Sequence, residues 1–402
     1  MPEAVVVATA RSPIGRARKG ALRDMRPDDL AALMVKEALA KVPQMDPHDL
    51  DDLMMGCAQP AGEQGYNIAR VAGVLAGMDR VPGTTVNRYC SSSLQTARMA
   101  FHAIKAGEGE AFVAAGVEAV SRYGQGKADG LPGTRNDVFA EAMARTEQAD
   151  RPWRDPRERE ALPDVYLAMG HTAENVAELR GVSRAEQDEF ALRSQNRAEQ
   201  SIADGFWKRD ITPVTLPDGT VVSQDDGPRP GVTREGLSAL QPVFRPDGTV
   251  TAGNCCPLND GAAALVIMSD RKAADLGITP LARIVSTGVS ALSPEIMGLG
   301  PVDACRQAMT RAGMSIGDID LVELNEAFAA QVIPCARDLG VDPGRLNVHG
   351  GGIALGHPFG MTGARMTTTL LNALQWNDTQ VGMVSMCVGG GQGMAMILER
   401  LS

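Results

Sequence analysis

The sequence predicts an α/β protein made of two similar halves, with a loop domain inserted into the first. Three observations predict it. Strand-like and helix-like runs alternate near both ends of the 402-residue chain. A weak internal repeat, offset by about 270 residues, relates those ends. Between them, residues 124–250 lose the rhythm. The alternation argues for a mostly parallel sheet covered by helices on both faces.

In chain order, Ala4–Ala8 reads as a strand. Pro27 to Lys41 reads as a helix, with Leu30, Leu33, Met34 and Ala38 on one face. Asp49 to Gly56 runs from a loop into a strand, and Asn67 to Ala76 is a small-residue helix. Gly83 to Asn87 then gives way to a helix from Leu94 to Ala106, closed by Gly107. The strand Ala111–Ala115 ends at Gly116. Residues 124–250 are polar and broken by Pro and Gly, with helical stretches at Gly170–Arg180 and Arg184–Asp204. They also carry basic clusters at Arg151, Arg154, Arg157 and Arg159, and at Lys208, Arg209, Arg229 and Arg234. Core strands resume at Gly261–Met268.

The repeat sets Pro27…Asp49-Leu50-Asp51-Asp52-Leu53 against Pro301…Asp318-Ile319-Asp320-Leu321-Val322, and Gly261–Met268 against Gly391–Leu398. It divides the chain into a first half (1–123 plus 251–275), an insertion (124–250) and a second half (276–402). It also brings the Cys90 segment opposite the neighbourhood of His357, at the axis between the halves.

Composition narrows the function. A net charge of −10 argues against a nucleic-acid partner. Forty-four glycines and only 4 % aromatics suit close packing and backbone-lined sites. No run of 18 apolar residues predicts a membrane span. Met1-Pro2-Glu3-Ala4-Val5 enters a strand without a basic leader, so no signal peptide is expected. The seven cysteines are odd in number, widely spaced and without a CxxC pair. That excludes a disulfide framework or zinc site and fits a reducing cytoplasm, with no metal expected.

Four segments carry candidate chemistry. Cys90, in Asn87-Arg88-Tyr89-Cys90-Ser91-Ser92-Ser93, sits at a strand-to-helix junction. There the helix dipole is expected to lower the thiol pKa and favour a nucleophilic thiolate. A lone cysteine is more often a small buried hydrophobe; the other three segments reverse those odds. Asn325-Glu326-Ala327-Phe328-Ala329 follows the apolar strand Leu321–Leu324, where open sheets place site residues. Taken alone, Glu326 equally suits a helix N-terminus. His357 lies in the loop His349–Gly363, whose glycines let backbone approach a ligand. Such a loop offers a histidine little to pack against, which favours a base. Cys387 ends a strand and is followed by Val388-Gly389-Gly390-Gly391-Gln392-Gly393, a turn whose N–H groups can form an oxyanion hole. Dinucleotide binding is excluded, since GGGQG lacks GxGxxG spacing and runs into a strand.

Together, NRYCSSSLQ, NEAFA, GGGIALGHPFGMTGAR and CVGGGQG resemble the motifs of thiolases (acetyl-CoA acyltransferases). TAGNCCPLNDGAAA and MGHTAENVA resemble two further family segments, so the resemblance spans essentially the whole chain. It implies a duplicated five-layer α-β-α-β-α body in which the insertion binds coenzyme A. It implies reversible thiolytic cleavage of 3-ketoacyl-CoA to acetyl-CoA and a shortened acyl-CoA, as in fatty-acid β-oxidation. Cys90 would be acylated, and His357 would take its proton. His357, with a water held by Asn325, would form one oxyanion hole; the N–H groups of Cys90 and Gly389 would form the other. Cys387 would exchange a proton with the α-carbon of the acetyl-CoA unit.

Arg229 matches the nucleotide contact. Met169, Phe244, Ala252 and Phe328 match positions lining the pantetheine and acyl channel. Cys256-Pro257 replaces the Ser-Gly pair of many members, so the pantetheine contact at Cys256 departs from the pattern. Ala168 stands where short-chain biosynthetic members have His, which leans towards a degradative enzyme. Coenzyme A enters as co-substrate, with no tightly bound cofactor, and a homodimer or homotetramer is implied. The alternatives are a biosynthetic acetyl-CoA C-acetyltransferase forming acetoacetyl-CoA, a ketoacyl synthase, and a non-catalytic acyl-CoA or lipid carrier. A synthase would pair its Cys with two His, and a carrier would lose a reactive group.

Overall fold

The computed structural model describes residues 1–126, 128–148 and 152–402. Its first stretch holds β1 (Ala4–Arg11), β2 (Gly15–Arg16), α1 (Pro27–Leu39), β3 (Asp52–Gly56) and α2 (Ile68–Leu75). It continues through β4 (Gly83–Val86), α3 (Ser92–Ala106) and β5 (Ala111–Ala119). Next come α4 (Ala140–Glu147), α5 (Met169–Leu179), α6 (Arg184–Ala203) and α7 (Phe206–Asp210). A small hairpin, β6 (Val214–Thr215) and β7 (Val221–Val222), precedes α8 (Arg234–Ser238). Then follow β8 (Asn259–Ser269), α9 (Asp270–Asp275), β9 (Ala282–Ala291), α10 (Gly300–Ala312) and β10 (Leu321–Leu324). The chain closes with α11 (Ala329–Leu339), α12 (Gly352–Leu355), α13 (Thr362–Trp376), β11 (Val381–Val388) and β12 (Gln392–Arg400). Arg151 lies outside the described residues.

The strands run in the order β10-β11-β12-β9-β1-β8-β5-β3-β4, with β2 beside β8. Parallel pairing holds on the two flanks, between β10 and β11 and between β3 and both β4 and β5. There a helix crosses over between strands, as the alternation predicts. The middle strands pair antiparallel, because β8 returns after the insertion and β12 follows β11 through a tight turn. β1 and β9 meet at only two registers, Val5 with Arg283 and Val6 with Ala282. The sheet is therefore two sheets joined at a short seam. The succession β3, β5, β8, β1 in one is matched by β10, β11, β12, β9 in the other.

Side-chain alternation sorts the strands into layers. In β8, every residue of which is buried, Ala263, Leu265 and Ile267 face a central core. Ala262, Ala264, Val266 and Met268 face an outer one. The central core holds Leu94, Ala97 and Ala100 of α3 and Ala364, Leu370 and Leu374 of α13, so these two helices form the middle layer. The outer cores are closed by α1 and α2 on one side and by α10 and α11 on the other. This is an α-β-α-β-α stack. The middle layer is tight: a methyl at Gly363 would overlap the backbone of Leu94.

Helix limits follow local chemistry. α1 starts at Pro27 with Asp28 and Asp29 in its first turn, and α10 carries Pro301 in the same place. α3, α10 and α11 each stop at a left-handed glycine: Gly107, Gly313 and Gly340.

The insertion is anchored to the body by a buried ion cluster. Arg11 of β1 is fully buried and bonds Asp210 Oδ2 at 2.7 Å and Asp225 Oδ1 at 2.5 Å, both from the insertion. Breaking such a cluster leaves an uncompensated charge in the core. Arg11→Ala is expected to cost about 3–5 kcal/mol, read as a lower denaturant midpoint.

Candidate active site

Cys90 lies in a single 3₁₀ turn, Tyr89–Ser91, that joins β4 to α3. The turn is forced: Tyr89 takes φ 43°, a left-handed value rare for an aromatic residue. Asn87 Oδ1 holds it by accepting the Tyr89 N–H at 2.8 Å. The helix proper begins at Ser92, so Cys90 sits just before the dipole's positive end. Contrary to expectation, its thiol pKa is pushed up, to about 11. Burial dominates, and the nearby N–H groups of Gly389 and of Cys90 itself offset it only in part. Cys90 therefore rests as a thiol and needs a base.

His357 sits in the loop before α13, at the place in the second half that Cys90 holds in the first. It is buried, and its backbone N–H donates to Asn259 Oδ1 at 2.9 Å. Thr362 Oγ1 donates to the carbonyl of Pro358 at 2.7 Å and lies 2.6 Å from His357 Nδ1. With the hydroxyl proton committed, Nδ1–H is the donor and Nε2 keeps its lone pair. Nε2 lies 3.3 Å from Asn325 Nδ2. Burial, and then the charge of Arg365, lower the His357 pKa to about 3, so the ring is neutral at physiological pH. His349, at the start of the same loop, stacks on Phe206 at 3.6 Å and bonds Ser201 Oγ at 2.9 Å. That histidine is structural.

Asn325 follows β10, its N–H donating to the Ser385 carbonyl at 2.9 Å. Its Oδ1 is buried with no partner among the described residues, so it can hold a small polar molecule. The neighbouring Glu326 is buried and accepts from Ser194 Oγ and Asn347 Nδ2, a structural role. Cys387 is fully buried near the end of β11. Burial raises its pKa far above the usual thiol value, with the neighbouring Cys90, Cys335 and Cys256 adding to the rise. Gly390 and Gly391, both at φ 77°, then turn the chain back into β12. Gly389 packs against the Tyr89 ring.

Cys90, Tyr89 and Gly389 line a cleft of about 380 Å³, with Tyr166, Met169 and Phe359 on its other walls. Phe328, Phe244, Cys256 and Met169 gather in one apolar cluster with Cys387. Within it the Phe244 and Phe328 rings meet edge-on at 6.3 Å. Arg229 and Ala252 are not part of that group. They line a separate narrow groove with Arg16, Gln195 and Cys255. A larger groove of about 820 Å³ runs along α6 past Arg193 and Arg337, and none of the candidate residues lines it.

A model of the thiolase N-terminal domain matches residues 4–271, and one of the thiolase C-terminal domain matches residues 278–400. The chain belongs to the thiolase family. The 3-ketoacyl-CoA thiolase of Bacillus subtilis (strain 168) is 43% identical over 412 residues, covering 99% of this chain and all of that one. The 3-oxoadipyl-CoA/3-oxo-5,6-dehydrosuberyl-CoA thiolase of Escherichia coli (strain K12) is 44% identical over 410 residues, covering both chains completely. Among solved structures, the Bacillus anthracis acetyl-CoA acetyltransferase superposes with a TM-score of 0.86 at 39% identity. That match covers 100% of this chain and 99% of the other.

In this thiolase three residues of the site were missed from sequence: Asn259, Thr362 and Glu118. Thr362 had a local signal, since it opens the helix that follows His357. Asn259 and Glu118 act across 98 and 242 residues of chain; a lone charge in an apolar strand marks Glu118, but nothing local says what it holds. Among the described residues no group of three or more His, Cys, Asp or Glu could hold a metal ion, and no helix is long and apolar enough to cross a membrane.

Proposed function

We propose that this thiolase cleaves 3-ketoacyl-CoA with coenzyme A, giving acetyl-CoA and an acyl-CoA shortened by two carbons. The observation that carries the reading is a buried thiol, Cys90, that opens with Gly389 on a cleft and has the second buried thiol, Cys387, behind it. In the same body the neutral His357 imidazole is held against Asn325. His357 Nε2 takes the Cys90 proton, and the sulfur attacks the 3-keto carbon. The N–H groups of Cys90 and Gly389 receive the oxygen that becomes negative. The C2–C3 bond breaks, and its electron pair passes to the acetyl-CoA enolate. Protonated His357, with a water on Asn325, faces the enolate oxygen, and Cys387 gives its proton to the carbon. The high pKa of Cys387 suits this role, because it keeps the proton until a carbanion is there to take it. Coenzyme A thiol then attacks the acyl-Cys90 thioester and carries the acyl group away.

The insertion (124–250) is read as the coenzyme A-binding element between the halves 1–123 plus 251–275 and 276–402. Arg229 at its groove serves the nucleotide; Met169, Phe244, Ala252, Cys256 and Phe328 serve the pantetheine and acyl chain. All seven cysteines are free, which supports a cytoplasmic setting. The condensation that forms acetoacetyl-CoA uses the same groups in reverse, and the likeness to an acetyl-CoA acetyltransferase favours it as the second reading. A series of 3-ketoacyl-CoAs of rising chain length, with free coenzyme A and loss of enolate absorbance as readout, separates the two. Turnover confined to acetoacetyl-CoA overturns the first reading.

A homodimer or homotetramer is expected, the pseudo-twofold body leaving the β4 edge for a further C2 pairing. Light scattering on dilute, active protein should give at least twice the 42.4 kDa chain mass; a fully active monomer removes the idea.

A further inference from the structure

We propose that Glu118 is a positioning residue for acyl transfer, holding the loop that carries His357 against the turn that carries Cys90. This rests on the roles given above to those two residues.

Glu118 is the one charged residue of β5, a strand otherwise apolar, and it is fully buried. Beside the Cys57 thiol at 4.0 Å, five N–H and O–H donors converge on its carboxylate. They are the N–H groups of Ala58 at 2.8 Å, Gln59 at 3.3 Å and Gly360 at 2.9 Å, Gln64 Nε2 at 3.0 Å, and the Tyr123 hydroxyl at 2.9 Å. The Gln64 amide cannot be reversed, because its Oε1 accepts the Ala119 N–H at 2.6 Å. The acceptor-only, ionised carboxylate is the form that satisfies this shell. Burial raises the group's pKa and the donors oppose it.

The donors come from opposite sides of the cleft. Gly360 stands three residues beyond His357. Ala58 follows β3, and its carbonyl accepts Asn87 Nδ2 at 3.0 Å. Asn87 Oδ1 in turn accepts the N–H of Tyr89, the residue before Cys90, at 2.8 Å. An unbroken chain of hydrogen bonds thus runs from the His357 loop through Glu118, Ala58 and Asn87 to the strained Tyr89. It fixes base and nucleophile relative to each other from below, without touching substrate.

The carboxylate also sets a field. The groups facing Cys90 are Tyr89 in its own turn, Glu118 and Tyr123 from β5 and the turn after it, Cys256 and Cys387, with Asp129 and Arg135 on the walls of the same cleft. The Arg88 guanidinium is turned to Gln95 and Gln392. Glu118 is the buried anion among them, and its charge adds to the rise in the Cys90 pKa that burial produces.

The test compares Glu118→Gln with Asn87→Ala. Asn87 is exposed, so its variant breaks the chain of hydrogen bonds without disturbing the buried charge. With 3-ketoacyl-CoA, pre-steady-state acylation of Cys90 should fall about 10²-fold in Glu118→Gln and about tenfold in Asn87→Ala, with KM little changed in either. The pH midpoint for iodoacetamide alkylation of Cys90 should drop by about 1 unit in Glu118→Gln, since a like charge is gone, and stay put in Asn87→Ala. Slower turnover beside a more acidic thiol is a signature that mere loosening of the fold does not produce. A folded Glu118→Gln with wild-type acylation, or with an unmoved midpoint, overturns the proposal. If Glu118→Gln is not recovered folded, wild-type acylation in Asn87→Ala overturns it. Absence of acyl-Cys90 in the wild type is a different result, and it sinks the functional reading instead.

Discussion

Cys90→Ser is expected to abolish acyl transfer, lowering kcat by on the order of 10⁴-fold or more. A serine hydroxyl is far harder to ionise than a thiol, and its ester is a poorer acyl donor to coenzyme A. The buried turn sharpens the effect. Even the thiol is pushed up to about 11 there, so an oxygen in its place gains nothing from its surroundings. The direct check is mass spectrometry of wild-type protein with substrate, which should place the acyl adduct on the peptide holding Cys90. An adduct on Cys387 reverses the assignment of the two thiols.

Cys387→Ala should separate two activities that share one intermediate. Thioester exchange between acyl-CoA and Cys90 needs no carbon acid, so acylation by simple acyl-CoAs should remain measurable. Cleavage of the C–C bond needs a proton at the departing carbon and should fall by about 10²–10⁴-fold. Cys387 is packed among Phe328, Ala330 and Met297 with no solvent exposure, and bulk water cannot readily take its place. Equal loss of both activities would falsify the acid role and leave Cys387 as packing.

Most of the body was legible because its signals are local or periodic. The strand Leu321–Leu324 and the helix from Thr362 were bounded by their own sequences, and Gly107 marked the end of α3. The motifs around Cys90, His357 and Cys387 could be read because glycines cluster where backbone must come close. Two things could not be read. The Cys90 pKa went the opposite way, because a helix dipole is visible in sequence while the burial of the thiol in the folded body, and the added charge of Glu118 from 28 residues away, are not. Sequence groups Ala252 with Phe244 and Phe328 along the channel and gives Arg229 to the nucleotide. That Arg229 and Ala252 share one narrow groove appears only once the chain is folded.

The place of β1 in the sheet has a consequence for how the chain is made. β1 is made well before its partners yet ends up in the middle, pairing Ala4 with Ser269 on one side and Val5 with Arg283 on the other. Neither partner exists until the insertion has been synthesised, which at typical elongation rates is a delay of roughly tens of seconds. Through that interval an apolar strand, Ala4–Ala10, has no native edge to join. Chains that stop short of β8 should aggregate rather than fold as a half.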